Sequence, residues 1–157
     1  MNIDDRQGGF TLVELMTVVG IIAVLIGVMI PSLLQARTPA QDRQAQNLLR
    51  NSLTAAKSIG TSDGVEPTRA TLADEEIGVS FMNGTTTAPA NTRNVSVANG
   101  ATGSAWYLVL ASQSSSGRCF AVLEQPGLAP QFQRVDNVPT CRAAQFDSTT
   151  GWATAWP

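Results

Sequence analysis

The side chains that could do chemistry in this 157-residue chain are few, because histidine is absent and lysine occurs once, at Lys57. Without histidine there can be no Ser-His-Asp triad, no cysteine–histidine nucleophile and no histidine-ligated metal site. Lys57 follows no glycine-rich loop, which excludes a phosphate-binding loop of the Walker type. No two acidic residues are placed for general acid–base catalysis. The sequence therefore predicts no enzyme, no cofactor and no metal site.

The charge of the chain is balanced overall and unevenly distributed. Ten basic and twelve acidic residues give a net charge of -2. A nucleic-acid-binding protein normally carries a basic excess, so direct nucleic-acid binding is not expected. Charged residues make up only 14% of the chain, below the roughly 25% of a soluble domain. The shortage of charged residues must therefore be confined to one part of the chain.

An uncharged run over residues 15–34 accounts for this shortage. As a helix, its 20 residues would span roughly 30 Å, the thickness of a bilayer core. The alternative is a cleaved secretory signal, whose apolar core of about 7–15 residues follows a basic start. The first nine residues here, MNIDDRQGG, hold two aspartates and one arginine. A transmembrane helix over residues 10–37 is therefore predicted.

Glu14 is the only charged residue between Arg6 and Arg37. An ionisable residue in a membrane helix is costly and usually functional, and this carboxylate needs a cation. A cut between Gly9 and Phe10 would create an amino group four residues away, on the same helix face. The alternative is a carboxylate that lies at the lipid interface near the end of an ordinary anchor helix.

The residues from Gly9 to Leu15, GFTLVEL, closely resemble the class III signal of type IV prepilins. The resemblance implies that a membrane peptidase cuts after Gly9 and methylates Phe10. It also implies that Glu14 is the assembly residue, which pairs with the N-terminal amine of a neighbouring subunit. Pro31 falls where many type IV pilins have a helix-kinking proline, although prolines are common in membrane helices generally. The net acidic leader departs from the basic leaders of the family.

The resemblance also implies a fold, partners and a location. The expected fold is α+β and pilin-like, with a long N-terminal helix packed on a small antiparallel sheet. The expected function is a type IV pilus subunit, and its partners are copies of itself, prepilin peptidase/methylase, the assembly platform and its motor ATPase. Before assembly the chain would cross the cytoplasmic membrane once with its N-terminus inside, and afterwards it would lie in an extracellular pilus or a periplasm-spanning filament. The alternatives are a pseudopilin of a type II secretion or DNA-uptake system, and a membrane-anchored binding domain or enzyme.

The elements that carry these residues divide the chain into four expected parts. They are a leader over residues 1–9, the membrane and assembly helix over 10–37, an amphipathic helix over 38–60, and an exported domain over 61–157. The sequence Thr38-Pro39-Ala40-Gln41 resembles a helix start, so a kink or interruption is expected at Thr38. Gly60 is expected to end the helix. The apolar residues of the amphipathic part recur every three or four positions: Ala45, Leu48, Leu49, Leu53, Ala56 and Ile59.

Residues 60–103, rich in Thr, Asn, Ala and Gly, are expected to form a surface connection. Within it, residues 71–76 could form one helical turn, with three acidic residues near its positive end. A calcium site there is an alternative to a solvated face, although the spaced ligands of a calcium loop are missing. Asn83-Gly84-Thr85 and Asn94-Val95-Ser96 match the N-glycosylation acceptor pattern, which also arises by chance.

Three apolar runs after this connection predict strands over residues 105–110, 119–123 and 131–135. A polar turn over 112–117 makes the first two an antiparallel hairpin. Cys119 and Cys141 form no metal-binding motif, and an oxidising exported compartment favours a disulfide over two buried free thiols. A C-terminal disulfide often pins the last loop in pilins, which favours a pilin over a pseudopilin. Trp152 and Trp156 are expected to pack back onto the domain, the alternative being an exposed contact surface.

Overall fold

A computed structural model of the chain describes residues 9–62, 66–76, 78–90, 93–102, 105–146 and 151–157. The predicted leader lies outside the described residues, apart from Gly9. The chain divides into two compact units, with the first ending at Arg37 and the second beginning at Thr38. The helices and strands, in chain order, are α1 (Leu12–Ser62), α2 (Arg69–Glu75), β1 (Ser80–Asn83), β2 (Asn94–Thr102), β3 (Ala105–Gln113), β4 (Cys119–Glu124), β5 (Gln131–Val135) and a 3-10 turn (Ala143–Gln145).

Helix α1 runs without interruption for 51 residues. The predicted interruption at Thr38 is wrong, because the helix continues through Thr38 and Pro39. Proline removes one backbone donor, and the helical hydrogen bonds on either side of it remain. The helix also continues two residues past the predicted stop at Gly60. There the Thr61 hydroxyl donates to the Lys57 carbonyl at 2.8 Å.

The first unit exposes its apolar side chains. Phe10 is 83% exposed, Val28 is 73% exposed and Ile22 is 48% exposed. The most apolar 18-residue window of α1 has a mean hydropathy of 2.6, so the helix is long and apolar enough to cross a membrane. Since contiguous apolar surface of this extent is rare on soluble monomers, this unit requires lipid or another protein surface around it.

The second unit contains a five-stranded sheet with the order β1-β2-β3-β4-β5. Strands β2 to β5 pair antiparallel, which confirms the predicted hairpin and the third predicted strand. β1 pairs parallel with β2, so the sheet is only mostly antiparallel. An isolated bridge between Phe132 and Ala153 adds the C-terminal segment beside β5.

Two of the five strands correct the sequence analysis. β1 and β2 lie inside the stretch that was expected to be a surface connection. The prediction was wrong because β2 consists mainly of Asn, Ser, Ala and Gly, which have low or middling strand propensity. Its two valines supply the burial: Val95 is fully buried and Val97 is 4% exposed.

A hydrophobic core lies on each face of the sheet. The first joins the C-terminal part of α1 to alternate strand residues such as Leu108, Leu110 and Val122. The second lies on the opposite face, because neighbouring strand residues point to opposite sides, and it joins Val109 and Leu123 to the disulfide loop. All six apolar positions predicted for the amphipathic helix belong to the first core or pack against it. The α+β arrangement of a long helix on a sheet is thereby established.

Helix α2 begins with a reciprocal cap. The Thr71 backbone N–H donates to the Thr68 hydroxyl at 3.3 Å, and the Thr68 N–H donates to the Thr71 hydroxyl at 2.8 Å. Because this cap sets the start of the helix, Asp74 and Glu75 lie in its last turn. The expectation that these acids lie near the positive helix end was therefore wrong.

Candidate functional site

The start of α1 is closed by a capping box that the sequence analysis missed. The Thr11 backbone N–H donates to Glu14 Oε2 at 3.2 Å, and the Thr11 hydroxyl donates to the same oxygen at 3.0 Å. In return, the Glu14 N–H donates to the Thr11 hydroxyl at 3.2 Å. The pattern Thr-x-x-Glu is the signature of this motif and could have been found from sequence. Glu14 therefore caps its own helix in the uncut chain.

The Gly9–Phe10 peptide bond lies just before this helix, outside any regular secondary structure. Both residues are exposed, and no heavy atom lies within 4 Å of a Cβ built on Gly9. The Glu14 carboxylate accepts a hydrogen bond from Thr11, the residue next to Phe10. The carboxylate thus contacts Thr11, the residue that follows Phe10, whose nitrogen cleavage would make cationic.

Pro31 lies within α1, where the helix is continuous on both sides of it. Beside it, the Ser32 hydroxyl donates to the Met29 carbonyl at 2.8 Å. A hydrogen bond of this kind satisfies the hydroxyl in apolar surroundings. The kink at Pro31 stays a prediction.

Cys119 and Cys141 form the predicted disulfide, with their Cα atoms 5.4 Å apart and both residues fully buried. The loop that carries Cys141 is fixed at further points. The Ala88 N–H donates to the Cys141 carbonyl at 2.9 Å, and the Ala143 N–H donates to the Ser96 hydroxyl at 3.0 Å. The bond therefore anchors the last loop to β4, and the alternative of two free thiols was wrong.

The two C-terminal tryptophans pack onto the second unit, as predicted. Trp156 contacts Phe132 and Phe120, with ring centroids 4.8 and 5.3 Å apart. Trp152 lies 6.1 Å from Phe146, between ring centroids. Such aromatic pairs contribute about 0.5–1.5 kcal/mol beyond the area that they bury.

A buried carboxylate connects α1 to the turn between β3 and β4. Asp42, 7% exposed, accepts hydrogen bonds from Ser116 at 2.5 Å and from the Arg118 guanidinium. Burial alone would raise the pKa of Asp42, but hydrogen bonds from Ser116, Ser114 and Arg118 outweigh burial and hold the pKa below its ordinary value. These partners are distant in sequence, so no local pattern could have indicated the pair.

A second carboxylate, Glu124, is 8% exposed and lies 3.4 Å from the Lys57 ammonium. Burial raises the pKa of Glu124, and Lys57 offsets the rise in part. The two residues line a cavity of about 380 Å³ together with Trp106 and Leu128.

Among the residues that the structure describes, no group of three or more His, Cys, Asp or Glu side chains is placed to hold a metal ion. The calcium alternative at residues 74–76 therefore finds no support in the described geometry.

The fold and the helix start together indicate a structural protein with a pilin-like architecture rather than an enzyme. Residues 4–30 match the prokaryotic N-terminal methylation motif, and this match supports a class III signal peptide and a type IV pilin-like family of precursors. The motif implies processing by prepilin peptidase and pilin assembly in general, and the apolar helix is consistent with membrane insertion. No curated protein and no solved structure matches the chain.

Proposed function

We propose that this chain is the precursor of a type IV pilus subunit, which polymerises through its N-terminal helix after its leader is removed. The observation that carries the proposal is the methylation motif at residues 4–30, which coincides with a helix whose apolar side chains are exposed. The second unit has its own cores and a disulfide, so it can remain folded while the helix exchanges lipid for other helices.

Processing takes place between Gly9 and Phe10, and the new N-terminal Phe10 is methylated. The exposed, non-helical position of this peptide bond supports access by prepilin peptidase. Before cleavage, the chain crosses the cytoplasmic membrane once with its N-terminus inside and the second unit outside. After cleavage, the assembly platform and its motor ATPase move the subunit into the filament.

Assembly depends on Glu14. In a filament core, the carboxylate lies among apolar helices, where an unpaired charge costs several kcal/mol. Cleavage makes the Phe10 nitrogen cationic, and methylation keeps that charge. Pairing between the Glu14 carboxylate of one subunit and the Phe10 amine of the next then compensates both groups and fixes the axial register. Removing one partner leaves the other charge buried and uncompensated.

The second candidate is a pseudopilin of a type II secretion or DNA-uptake system. The Cys119–Cys141 bond favours the pilus, because pseudopilins often carry calcium-binding acids in place of a C-terminal disulfide. A membrane-anchored binding domain or enzyme is less well supported, since the methylation motif supports a precursor of the type IV pilin-like family.

Mass analysis of the mature N-terminus tests the processing step in cells that contain a prepilin peptidase. The expected chain begins with methylated Phe10. Gly9→Val should still insert in the membrane, since a larger side chain at this position meets no neighbour in the chain itself. It should remain uncut, because the proposed peptidase requires the glycine before the cut. A mature chain that begins at Met1, or beyond Pro31, would contradict the proposal.

Three variants separate assembly from helix capping. Glu14→Gln keeps a capping-box residue and loses the charge. Thr11→Ala keeps the carboxylate and removes the cap, which should destabilise the helix by about 0.5–2 kcal/mol. We expect Glu14→Gln and Glu14→Ala to be cut and retained in the membrane with few or no filaments. Thr11→Ala should form filaments. The measurement is the amount of sheared filament per membrane-bound subunit; normal filaments from both Glu14 variants would make this residue only a cap.

A further inference from the structure

The two N-glycosylation patterns of the sequence lie in opposite surroundings. In the first, Asn83 and Thr85 are both exposed, at and just after the end of the edge strand β1. In the second, Asn94 is half-buried at the start of β2, and Ser96 is fully buried. The pattern needs an accessible amide and an accessible hydroxyl, so the two segments are not equivalent acceptors.

The first segment already has its amide and hydroxyl in contact. Asn83 Oδ1 accepts hydrogen bonds from the Thr85 backbone N–H at 3.2 Å and from the Thr85 hydroxyl at 3.3 Å. Within the described part of the chain, the Asn83 side-chain nitrogen donates to no protein group. Its oxygen is therefore held by two donors, and the nitrogen belongs to an exposed side chain.

Gly84 fixes this turn in place. A Cβ at Gly84 would lie 2.6 Å from the Ala98 Cβ, so the turn packs against β2 more closely than any other residue would allow. The Gly84 carbonyl accepts a hydrogen bond from the Ala144 N–H at 2.9 Å, and the Asn83 carbonyl accepts one from the Thr86 N–H at 2.8 Å. The fold thus presents the segment as a preformed surface turn.

The second segment is closed by hydrogen bonds. The Ser96 hydroxyl donates towards the carbonyls of Asn83 and Thr86, each at 3.2 Å, and accepts from the Ala143 N–H at 3.0 Å. The Asn94 carbonyl accepts from the Ser112 hydroxyl at 3.1 Å. An enzyme could reach this hydroxyl only by separating β2 from its neighbours.

We propose that Asn83 is an acceptor for an N-linked glycan and that Asn94 is not. The proposal rests on the export of the second unit in the proposed function. The donor class is an oligosaccharide linked to a polyprenyl diphosphate, and the enzyme class is a membrane oligosaccharyltransferase. A bond forms between Asn83 Nδ2 and the anomeric carbon of the sugar, and the bond from that carbon to the diphosphate oxygen breaks. Polyprenyl diphosphate leaves, and the amide proton passes to a carboxylate of the enzyme.

A glycan on Asn83 Nδ2 displaces no buried side chain, because Asn83 is exposed. It would also cover the end of β1, the strand at one edge of the sheet. An uncovered strand edge can pair with another copy of the chain. The glycan would therefore favour contact through helix α1 over contact between sheet edges.

The test expresses the full chain in cells that contain prepilin peptidase, a membrane oligosaccharyltransferase and its lipid-linked oligosaccharide. A flexible acceptor tail with the same Asn-Gly-Thr pattern, appended after Pro157, reports that glycosylation is active in each culture. Peptide mass analysis should find one glycan at Asn83 in every culture whose tail is modified. Asn83→Gln and Thr85→Ala should each remove it, whereas Asn94→Gln and Thr86→Ala should leave it.

An unmodified Asn83 beside a modified tail overturns the proposal, and so does modification at Asn94. A glycan that survives Asn83→Gln and maps to Thr85 or Thr86 is O-linked and also overturns it. The N-terminal peptide in the same spectra reports leader cleavage. A chain that is cut at Gly9 and modified in its tail but carries no glycan at Asn83 therefore refutes this inference and leaves the proposed function standing.

Discussion

The described valine side chains are exposed in the first unit and buried or half-buried in the second. Val28 is 73% exposed and Val24 is 68% exposed, whereas Val95, Val109 and Val122 are fully buried. The second unit supplies the apolar partners of its own side chains, through α1 and both faces of the sheet. The described residues of the first unit supply no such partners to one another, so the free energy of this unit depends on lipid or on other chains.

The charges of the two units differ in the same way. In the first unit, the Glu14 carboxylate accepts hydrogen bonds from Thr11, which lies three positions earlier in the chain. In the second unit, Asp42 and Glu124 are buried and paired with cations that are distant in sequence. The second unit therefore pairs its two buried carboxylates with cations by folding, whereas in the proposed function Glu14 gains a cation only through cleavage and assembly.

A charge in the middle of the first unit should have the largest effect of the changes considered, on membrane insertion and filament formation. It should leave the fold of the second unit intact. Ile22→Asp places a carboxylate near the helix centre, at a cost of about 2.5–3.5 kcal/mol on insertion scales. We expect most of the chain to be lost from the membrane fraction and from filaments. The thermal midpoint of the second unit should equal that of the control Ile22→Leu in the same detergent. A fall of several degrees for the aspartate variant would show that the units are not independent.

A cavity in the second unit should have the converse effect. Leu110 is fully buried in the core between α1 and the sheet. Leu110→Ala should lower the free energy of unfolding by about 2–5 kcal/mol and leave membrane retention unchanged. Leu128→Ala is the matched control, since Leu128 is 59% exposed; it should change stability by no more than about 0.5 kcal/mol. Equal effects from the two variants would contradict the assigned core.

Removal of the disulfide should weaken the second unit by a similar or smaller amount. The bonded residues are separated by 22 positions, and the chain-entropy model gives about 3 kcal/mol for a loop of this length. We expect the double variant Cys119→Ala/Cys141→Ala to show a lower urea midpoint. Reductant should lower the midpoint of the unchanged chain and leave that of the double variant where it was. A midpoint insensitive to both treatments would mean that the bond does not form.

The smallest predicted effect is the pH dependence that comes from Asp42. Its folded-state pKa lies below its ordinary value, so the pair stabilises the fold above the unfolded-state pKa of about 4. That stability is lost as the pH falls through the folded-state pKa. Denaturant titrations from about pH 7 down to about pH 3 cover the onset of this loss, which begins near the unfolded-state pKa. They should show a smaller loss for Asp42→Asn than for the unchanged chain. Equal losses would assign the acid sensitivity to other carboxylates.

The parts of the fold that were predictable had strong local signals. The apolar spacing of Leu49, Leu53 and Ile59 predicted the helix face that packs on the sheet, because helix periodicity is local. The aromatic and branched residues of β3 and β4 predicted their hairpin in the same way. The disulfide followed from the expected compartment, and the structure contains it.

The parts that were missed depend on tertiary contacts or on a signal that was overlooked. β2 is a strand because its neighbours pair with it and bury Val95 and Val97, which composition cannot reveal. The ion pair between Asp42 and Arg118 joins residues 76 positions apart. The Thr11–Glu14 cap was readable from its spacing and was missed because Glu14 was considered only as a membrane charge.

The disulfide has a mechanical consequence for any filament built from this chain. When a pulled subunit unravels, each released residue adds contour length, and the strand that the load reaches first peels away from the sheet. The Cys119–Cys141 bond prevents the 22-residue stretch that it closes from extending, which removes roughly 75 Å of extended chain. An oxidised subunit therefore reaches its full extension earlier and then transmits tension through a covalent link, whereas a reduced subunit would lengthen further under the same load.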